Sequence, residues 1–419
     1  MTSSSSSVRA TPTTVEAHPR AASEAAFALD FVARVLAEAP VRRPTSADER
    51  RAHELTRDAY KALGVGVALE PFRFNENLYA TIALHMGAAV LGSLVAKRSP
   101  RLGFALHGIA ALSYALDSSR KAFLLRRLFP FKDSQNVVAT LPSVGPMRLR
   151  IVFVSHGDAA FTGFVFHPEF VRRFGSRGGP LGKPMQASTA AAALLAGIDL
   201  LSIAGASGRA IDWARRALTF APLVAFALNA DVTLRDRIVP GASDNLSGVA
   251  GGLLLAKRFL ASPLPGVELV FVTTGCEEAG LGGAQALAES RDSAWSRTNT
   301  IVIAIDGLSG GALHTFREGE VFPIEVPRHL DDAVDHVRAS DPRFRDVTPY
   351  TIPVGGTDVV PFAKLGFDGI SVGRIDPELH TPRNYHLPTD TLEHMDPAEI
   401  VESVDFVEAL ARELARRRA

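Results

Sequence analysis

Three short apolar runs limit the folds open to this chain. They read LRIVFVS at 149–155, VELVFVTT at 267–274 and TIVIAI at 300–305. Each is rich in Val and Ile and has strand length rather than helix length. Two further runs, NVVATL at 136–141 and GISVG at 369–373, have the same character, and helical patterns such as 245–261 and 281–290 lie between several of them. Strands alternating with helices predict an α/β fold, a mostly parallel mixed sheet flanked by helices.

In such a sheet, functional side chains gather beyond the carboxyl ends of the strands. Here those ends read Ser155-His156-Gly157-Asp158, Gly275-Cys276-Glu277-Glu278 and Asp306-Gly307. Two more blocks are polar: Gly241-Ala242-Ser243-Asp244-Asn245-Leu246-Ser247-Gly248, at the start of a helical run, and Asn384-Tyr385-His386-Leu387-Pro388-Thr389-Asp390-Thr391, after the last run. Taken singly, each has an ordinary explanation: a loop histidine, an N-cap aspartate, a solvated glutamate pair. Taken together they form two imidazoles and three carboxylates with a spare Glu and no thiolate, the donor set of a catalytic zinc-type site.

Other chemistries fit less well. The 45 basic and 45 acidic side chains cancel, which argues against a nucleic-acid partner. The single cysteine, Cys276, excludes an internal disulfide and a CxxC metal motif, and a small apolar role suits it. No Lys-Ser/Thr pair follows the glycines at 241–248, so there is no phosphate loop. No G-x-S-x-G elbow accompanies His156. His314, His380 and His394 lack a partner pattern and read as structural or solvated.

The blocks resemble metallopeptidase family twenty-eight, the two-zinc aminopeptidases and their glutamate carboxypeptidase relatives. The shared pattern is His156-Gly157-Asp158, Asp244-Asn245-Leu246-Ser247-Gly248, Glu277-Glu278-Ala279-Gly280-Leu281-Gly282-Gly283, Asp306, and Tyr385-His386 ahead of Asp390-Thr391. Gly355-Gly356-Thr357-Asp358, followed by Pro361-Phe362, extends it. The resemblance covers about 136–160 and 240–419. It implies a zinc exopeptidase fold of the phosphorylase/hydrolase-like kind and two divalent zinc ions ~3.5–4 Å apart. His156 and Asp306 would hold one, Glu278 and His386 the other, and Asp244 would bridge them. Glu277 would be the general base, Asp158 would fix the tautomer of His156, and Tyr385 would donate to the oxyanion. The implied activity is aminopeptidase-like hydrolysis of a peptide or small-molecule amide. The alternatives are an N-acyl amino acid or amide hydrolase, a glutaminyl-cyclase-like transferase, which on this scaffold works with one zinc, and a non-catalytic membrane-associated module. Arg374, Arg383, Asp358 or the insertion would supply the subsite that selects a free amine or a free carboxylate.

The remaining sequence divides into three parts. Residues 1–22, rich in Ser, Thr, Pro and Ala, are expected to be disordered. They hold no apolar core of signal-peptide length, so no cleavable signal is expected. Residues 23–130 form a helical N-terminal region, with two helical patterns over 24–63 and a capping-box spacing at Ser46 and Glu49. The catalytic domain is expected over 131–419, interrupted by an insertion at 160–240. Apolar stretches at 78–96 and 102–116, and at 185–206 and 217–230, predict two helical hairpins. They are buried helices of an accessory layer, or they enter or lie on a membrane. The second reading is favoured, with a cytoplasmic location as the alternative. Asp199 would then need a partner. The insertion leaves from the strand end that carries His156 and is expected to act as a lid or membrane-contacting hairpin. The sequence leaves the oligomeric state open.

Overall fold

Strand β3 (Val144–His156) shows how the two layers arise. Side chains alternate across a strand, so Ile151 and Phe153 enter one apolar core while Val152 and Val154 enter another. In the computed structural model, which describes residues 19–174, 183–353 and 355–418, the sheet has eight strands in the order β1-β2-β4-β3-β5-β8-β6-β7. They are β1 (Gly66–Phe74), β2 (Lys132–Leu141), β3, β4 (Pro265–Thr274), β5 (Thr300–Ile305), β6 (Ala312–Arg317), β7 (Thr348–Thr351) and β8 (Asp368–Ile375). The central four, β4, β3, β5 and β8, run parallel, and the flanks mix directions.

The helices are α1 (Pro19–Glu38), α2 (Ala47–Ala62), α3 (Leu78–Val95), α4 (Pro100–Ser118), α5 (Pro168–Phe174), α6 (Pro184–Ile203), α7 (Arg209–Arg235), α8 (Gly248–Ala261), α9 (Gly282–Arg291), α10 (Arg328–Ser340), α11 (Val359–Lys364) and α12 (Pro397–Arg417). One face of the sheet packs against α1, α2, α8, α10 and α12, with Phe153 stacked on Phe271 and Phe259 at 5.2 and 6.1 Å. The other face packs against α9 and α11. Each large apolar side chain buried in this way contributes roughly 1.5–3 kcal/mol.

The expected mixed α/β sheet is present, and all five expected strands lie in it. Three strands were not foreseen. β1 carries Pro71 and alternates in burial, which an edge strand tolerates; β6 and β7 are short and half polar. Two expectations need correction. Residues 19–22 open α1 instead of belonging to a disordered stretch, and 1–18 lie outside the described residues. The 23–130 region is not wholly helical: it contributes β1, which pairs with β2, and its α1 and α2 share the main core with 131–419.

The two apolar hairpins are helical and join into one four-helix bundle. α3 packs on α4 and α7, and α6 packs on α4 and α7. Asp199 does find partners. It accepts hydrogen bonds from His107 Nδ1 at 2.6 Å and from Arg215 Nη2 at 2.8 Å, all within the bundle.

Candidate metal centre

Parallel register brings the donors to one rim of the sheet. His156 ends β3 opposite Thr274, the last residue of β4, and β5 leads directly from Ile305 into Asp306. Beyond β4 the chain turns tightly, with Cys276 at φ 55°. Carboxylates satisfy the amides of this turn: Cys276 N–H donates to Glu49 Oε1 at 2.8 Å, and Glu277 and Glu278 N–H donate to Asp158 Oδ1 and Oδ2 at 3.2 and 3.0 Å.

The loop before α8 is held in the same way. Ser243 and Asp244 N–H donate to the two oxygens of Asp390 at 2.8 and 3.1 Å. Asn245 Nδ2 donates to Ile305 O at 2.9 Å, while its Oδ1 accepts from Gly248 and Gly307 N–H. Asn245 thereby ties the Asp244 loop to the strand end that carries Asp306. A Cβ on Gly248 would lie 2.3 Å from Asn245 Oδ1, so only glycine fits there.

Five expected donors converge on this rim. His156 Nε2 lies 3.1 Å from Asp244 Oδ1 and 3.7 Å from Asp306 Oδ1. His386 Nε2 lies 3.4 Å from Asp244 Oδ2 and 3.3 Å from Glu278 Oε1. Asp244 therefore turns one oxygen to each imidazole. Glu277 Oε2 stands 3.9 Å from His156 Nε2, beside the cluster. Ligand atoms of His156, Asp244 and Glu278 all fall within 4.8 Å of one another.

The electrostatics are those of crowded, buried acids around two imidazoles. Burial, and then the neighbouring carboxylates, push Glu277 well above its ordinary value; Glu278 and Asp306 also rise, and Asp358 rises to about 7. Burial alone would lower the two imidazoles, yet the surrounding acids raise His156 and take His386 to about 10. Burial also opposes the Asp244 charge, but hydrogen bonds from both histidines leave this carboxyl below its usual range. So many acids around two imidazoles are a donor set that divalent cations would satisfy.

Asp158 lies beside the far nitrogen of His156, as expected, and has a second task. Its carboxylate serves the 277–278 amides, and its backbone carbonyl, 3.2 Å from His156 Nδ1, is nearer that nitrogen than its Oδ1 at 3.6 Å. Tyr385 lies face-near to His386 with ring centroids 3.9 Å apart, and its hydroxyl makes no hydrogen bond among the described residues. Arg374 and Arg383 are committed elsewhere, to Ser403 and Glu402 and to Asp376. Asp358 is buried and accepts from Thr274 Oγ1 at 2.6 Å.

Several supporting residues escaped the sequence reading. Tyr79 of α3 places its hydroxyl 3.2 Å from His386 Nδ1. Its ring packs on Phe161 and Phe166, and Phe166 lies 4.4 Å from the His386 ring. The root of the insertion thus walls the site. Arg42, fully buried, donates to Gly157 O, Pro240 O and Gly241 O and joins two of the donor segments. Burial holds His53 at about 4; it accepts at Nδ1 from Gln135 and donates from Nε2 to Thr274 O. None of these gave a signal; Glu49, another support, did through its capping-box spacing, and its carboxylate reaches past that helix to the turn at Cys276.

Comparison with known proteins agrees with this geometry. The model of peptidase family M28 matches residues 229–411. The match covers 183 of the 419 residues, and the solved structures below share the fold. The M28 segment holds Asp244, Glu277, Glu278, Asp306 and His386, while His156 and Asp158 lie before it. No curated protein matches the chain. Solved structures with a similar fold include a zinc aminopeptidase from Bacillus subtilis, 13% identical, with a TM-score of 0.54 over 93% of this chain and 95% of that one. An Acidobacteriales bacterium glutaminyl cyclase is 14% identical, with a TM-score of 0.54 over 99% and 100%. A Bacteroides thetaiotaomicron glutaminyl cyclase bound to N-acetylhistamine is 12% identical, with a TM-score of 0.52 over 93% and 97%. At such identities the likeness is one of fold.

Proposed function

We propose that the protein is a two-zinc exopeptidase of the aminopeptidase type. The observation that carries this reading is the placement of Asp244, with Oδ1 facing the His156–Asp306 pair and Oδ2 facing the His386–Glu278 pair. A one-metal cyclase would need only one of these pairs. His156 and Asp306 would hold one zinc and His386 and Glu278 the other, with Asp244 shared. Zinc bound there would supply Lewis acidity, polarising the scissile carbonyl and making water a nucleophile near neutral pH.

The protein's own groups supply the rest. Glu277 is beside the cluster and is the base that takes a proton from the attacking water. It returns that proton to the amine nitrogen as the C–N bond breaks. Tyr385, whose ring lies 3.9 Å from that of His386, would donate to the developing oxyanion. Asp158 and Glu49 fix the turn that aims Glu277 and Glu278 in different directions. Tyr79 orients His386 through Nδ1.

The test is a screen of amino-acid 4-nitroanilides, N-acyl amino acids, dipeptides and N-terminal glutaminyl peptides, with Glu277→Gln as control. Release of free amino acids from the first class, lost by about 10²–10⁴-fold in Glu277→Gln with zinc retained, is expected. Pyroglutamyl formation without hydrolysis would refute the peptidase reading.

A further inference from the structure

The four-helix bundle presents an apolar surface to its surroundings. Among the described residues, most exposed large apolar side chains lie on α3, α4, α6 and α7, including Leu94, Leu112, Leu194, Trp213, Phe220 and Leu234. Helices α3, α6 and α7 are each long and apolar enough to cross a membrane. At 1.5 Å per residue, the charge-free stretches 78–95 and 217–230 are about 27 and about 21 Å long, close to the ~30 Å of a bilayer core once flanking side chains reach out.

The polar groups follow the same logic. Charged groups toward the distal part of the bundle turn inward and pair, as His107, Asp199 and Arg215 do. Small residues let the helices approach closely: a Cβ on Gly103 would lie 2.7 Å from both Ala96 Cβ and Asp199 Oδ2. The distal turns carry Lys97, Arg98, Arg101, Arg209 and Arg216. The opposite end is the root beside the metal centre, through Tyr79.

At that root, two cavities meet. A groove of about 520 Å³ runs between α4 and α6, lined by Ala111, Leu112, Ala115, Ala190, Ala193 and other apolar or small residues. It shares Leu112 and Ala115 with a pocket of about 590 Å³ that contains Arg120, Lys121 and Lys364. Arg120 Nη1 donates to Gly280 O, but its Nε is buried without a partner. Lys364 Nζ donates to the carbonyl of Phe322 and lies 5.6 Å from the centre of its ring, with no carboxylate paired to it among the described residues. The acids nearby are engaged: Asp117 with Arg126, Glu320 with the Tyr114 hydroxyl, Glu289 with Gln285. Burial, then Arg120 and Lys121, depress the Lys364 ammonium, as expected of crowded cations.

We propose that the bundle is embedded in a lipid bilayer and that an anionic phospholipid binds at its root. Its acyl chain lies in the α4–α6 groove and its phosphate among Arg120, Lys121 and Lys364. The metal centre then sits at the membrane surface, facing substrates that arrive along it. This inference does not depend on the two-zinc reading, and binding should be the same in Glu277→Gln.

The full-length protein is to be expressed, its membranes washed with alkaline carbonate, and the protein purified in maltoside. Mixed micelles containing phosphatidylglycerol or phosphatidylcholine, and inorganic phosphate alone, are the probes, read by native mass spectrometry. The protein is expected in the carbonate pellet, with phosphatidylglycerol bound in preference to phosphatidylcholine. Lys121→Ala and Lys364→Ala should each weaken phosphatidylglycerol binding roughly fivefold and leave phosphatidylcholine unchanged. Recovery as a soluble monomer, or as a soluble dimer joined through the bundle, would overturn the embedding. Equal binding of the two lipids, or displacement of phosphatidylglycerol by equimolar phosphate, would overturn the lipid site.

Discussion

Substituting Tyr79→Phe separates the contribution of the N-terminal helices from that of the M28 segment. Tyr79 lies on α3, outside residues 229–411, and its hydroxyl is 3.2 Å from His386 Nδ1. Phenylalanine keeps the ring contacts with Phe161 and Phe166 and removes only the hydrogen-bond partner. His386 Nε2 faces Asp244 and Glu278, so Nδ1 is the nitrogen through which the ring can be oriented. Losing such an outer partner typically costs about 10–100-fold in metal affinity or activity, equivalent to about 1.4–2.7 kcal/mol. The assay is zinc affinity by chelator competition, together with kcat/KM on an amino-acid 4-nitroanilide. Both are expected to fall while the fold persists. Unchanged zinc affinity and unchanged kcat/KM would refute the orienting role and make Tyr79 a packing residue.

Other perturbations test the surrounding structure. Gly248→Ala forces a Cβ against Asn245 Oδ1 and Ile305 O, so the Asp244 loop must shift; zinc content by plasma mass spectrometry should drop even where circular dichroism is unchanged. Asp199→Ala leaves Arg215 and His107 without their buried partner and should cost about 3–5 kcal/mol, seen as a lower Tm in detergent with zinc still bound. Phe153→Ala opens the main core beneath Phe259 and Phe271 and should cost roughly 3–5 kcal/mol in denaturant unfolding of the sheet domain.

The sheet was legible because its central strands are apolar and bounded by turn residues, and because the donors occupy its strand ends. Strands β1 and β7 at the two edges and β6 beside β7 carry half-polar sequences, and pairing to their neighbours rather than apolar content makes them strands. The five donors could be read from local blocks. Their supports could not, because Tyr79 and Arg42 act across 307 and 115 positions of chain. No local pattern marks a tyrosine in an apolar helix as the partner of a distant imidazole. Asp158 shows a related limit: its place beside His156 could be read from the block, whereas the hydrogen bonds its oxygens accept from the 277–278 amides could not. The four apolar stretches were visible singly, and their union in one bundle depends on the close contacts of small residues and on the Asp199 pairs.

Zinc anomalous scattering from crystals of the full-length protein tests the central claim most directly. Two peaks are expected, one between His156 and Asp306 and one between His386 and Glu278, each within coordination distance of a different Asp244 oxygen. A single peak, or none at this rim of the sheet, would contradict the two-metal account.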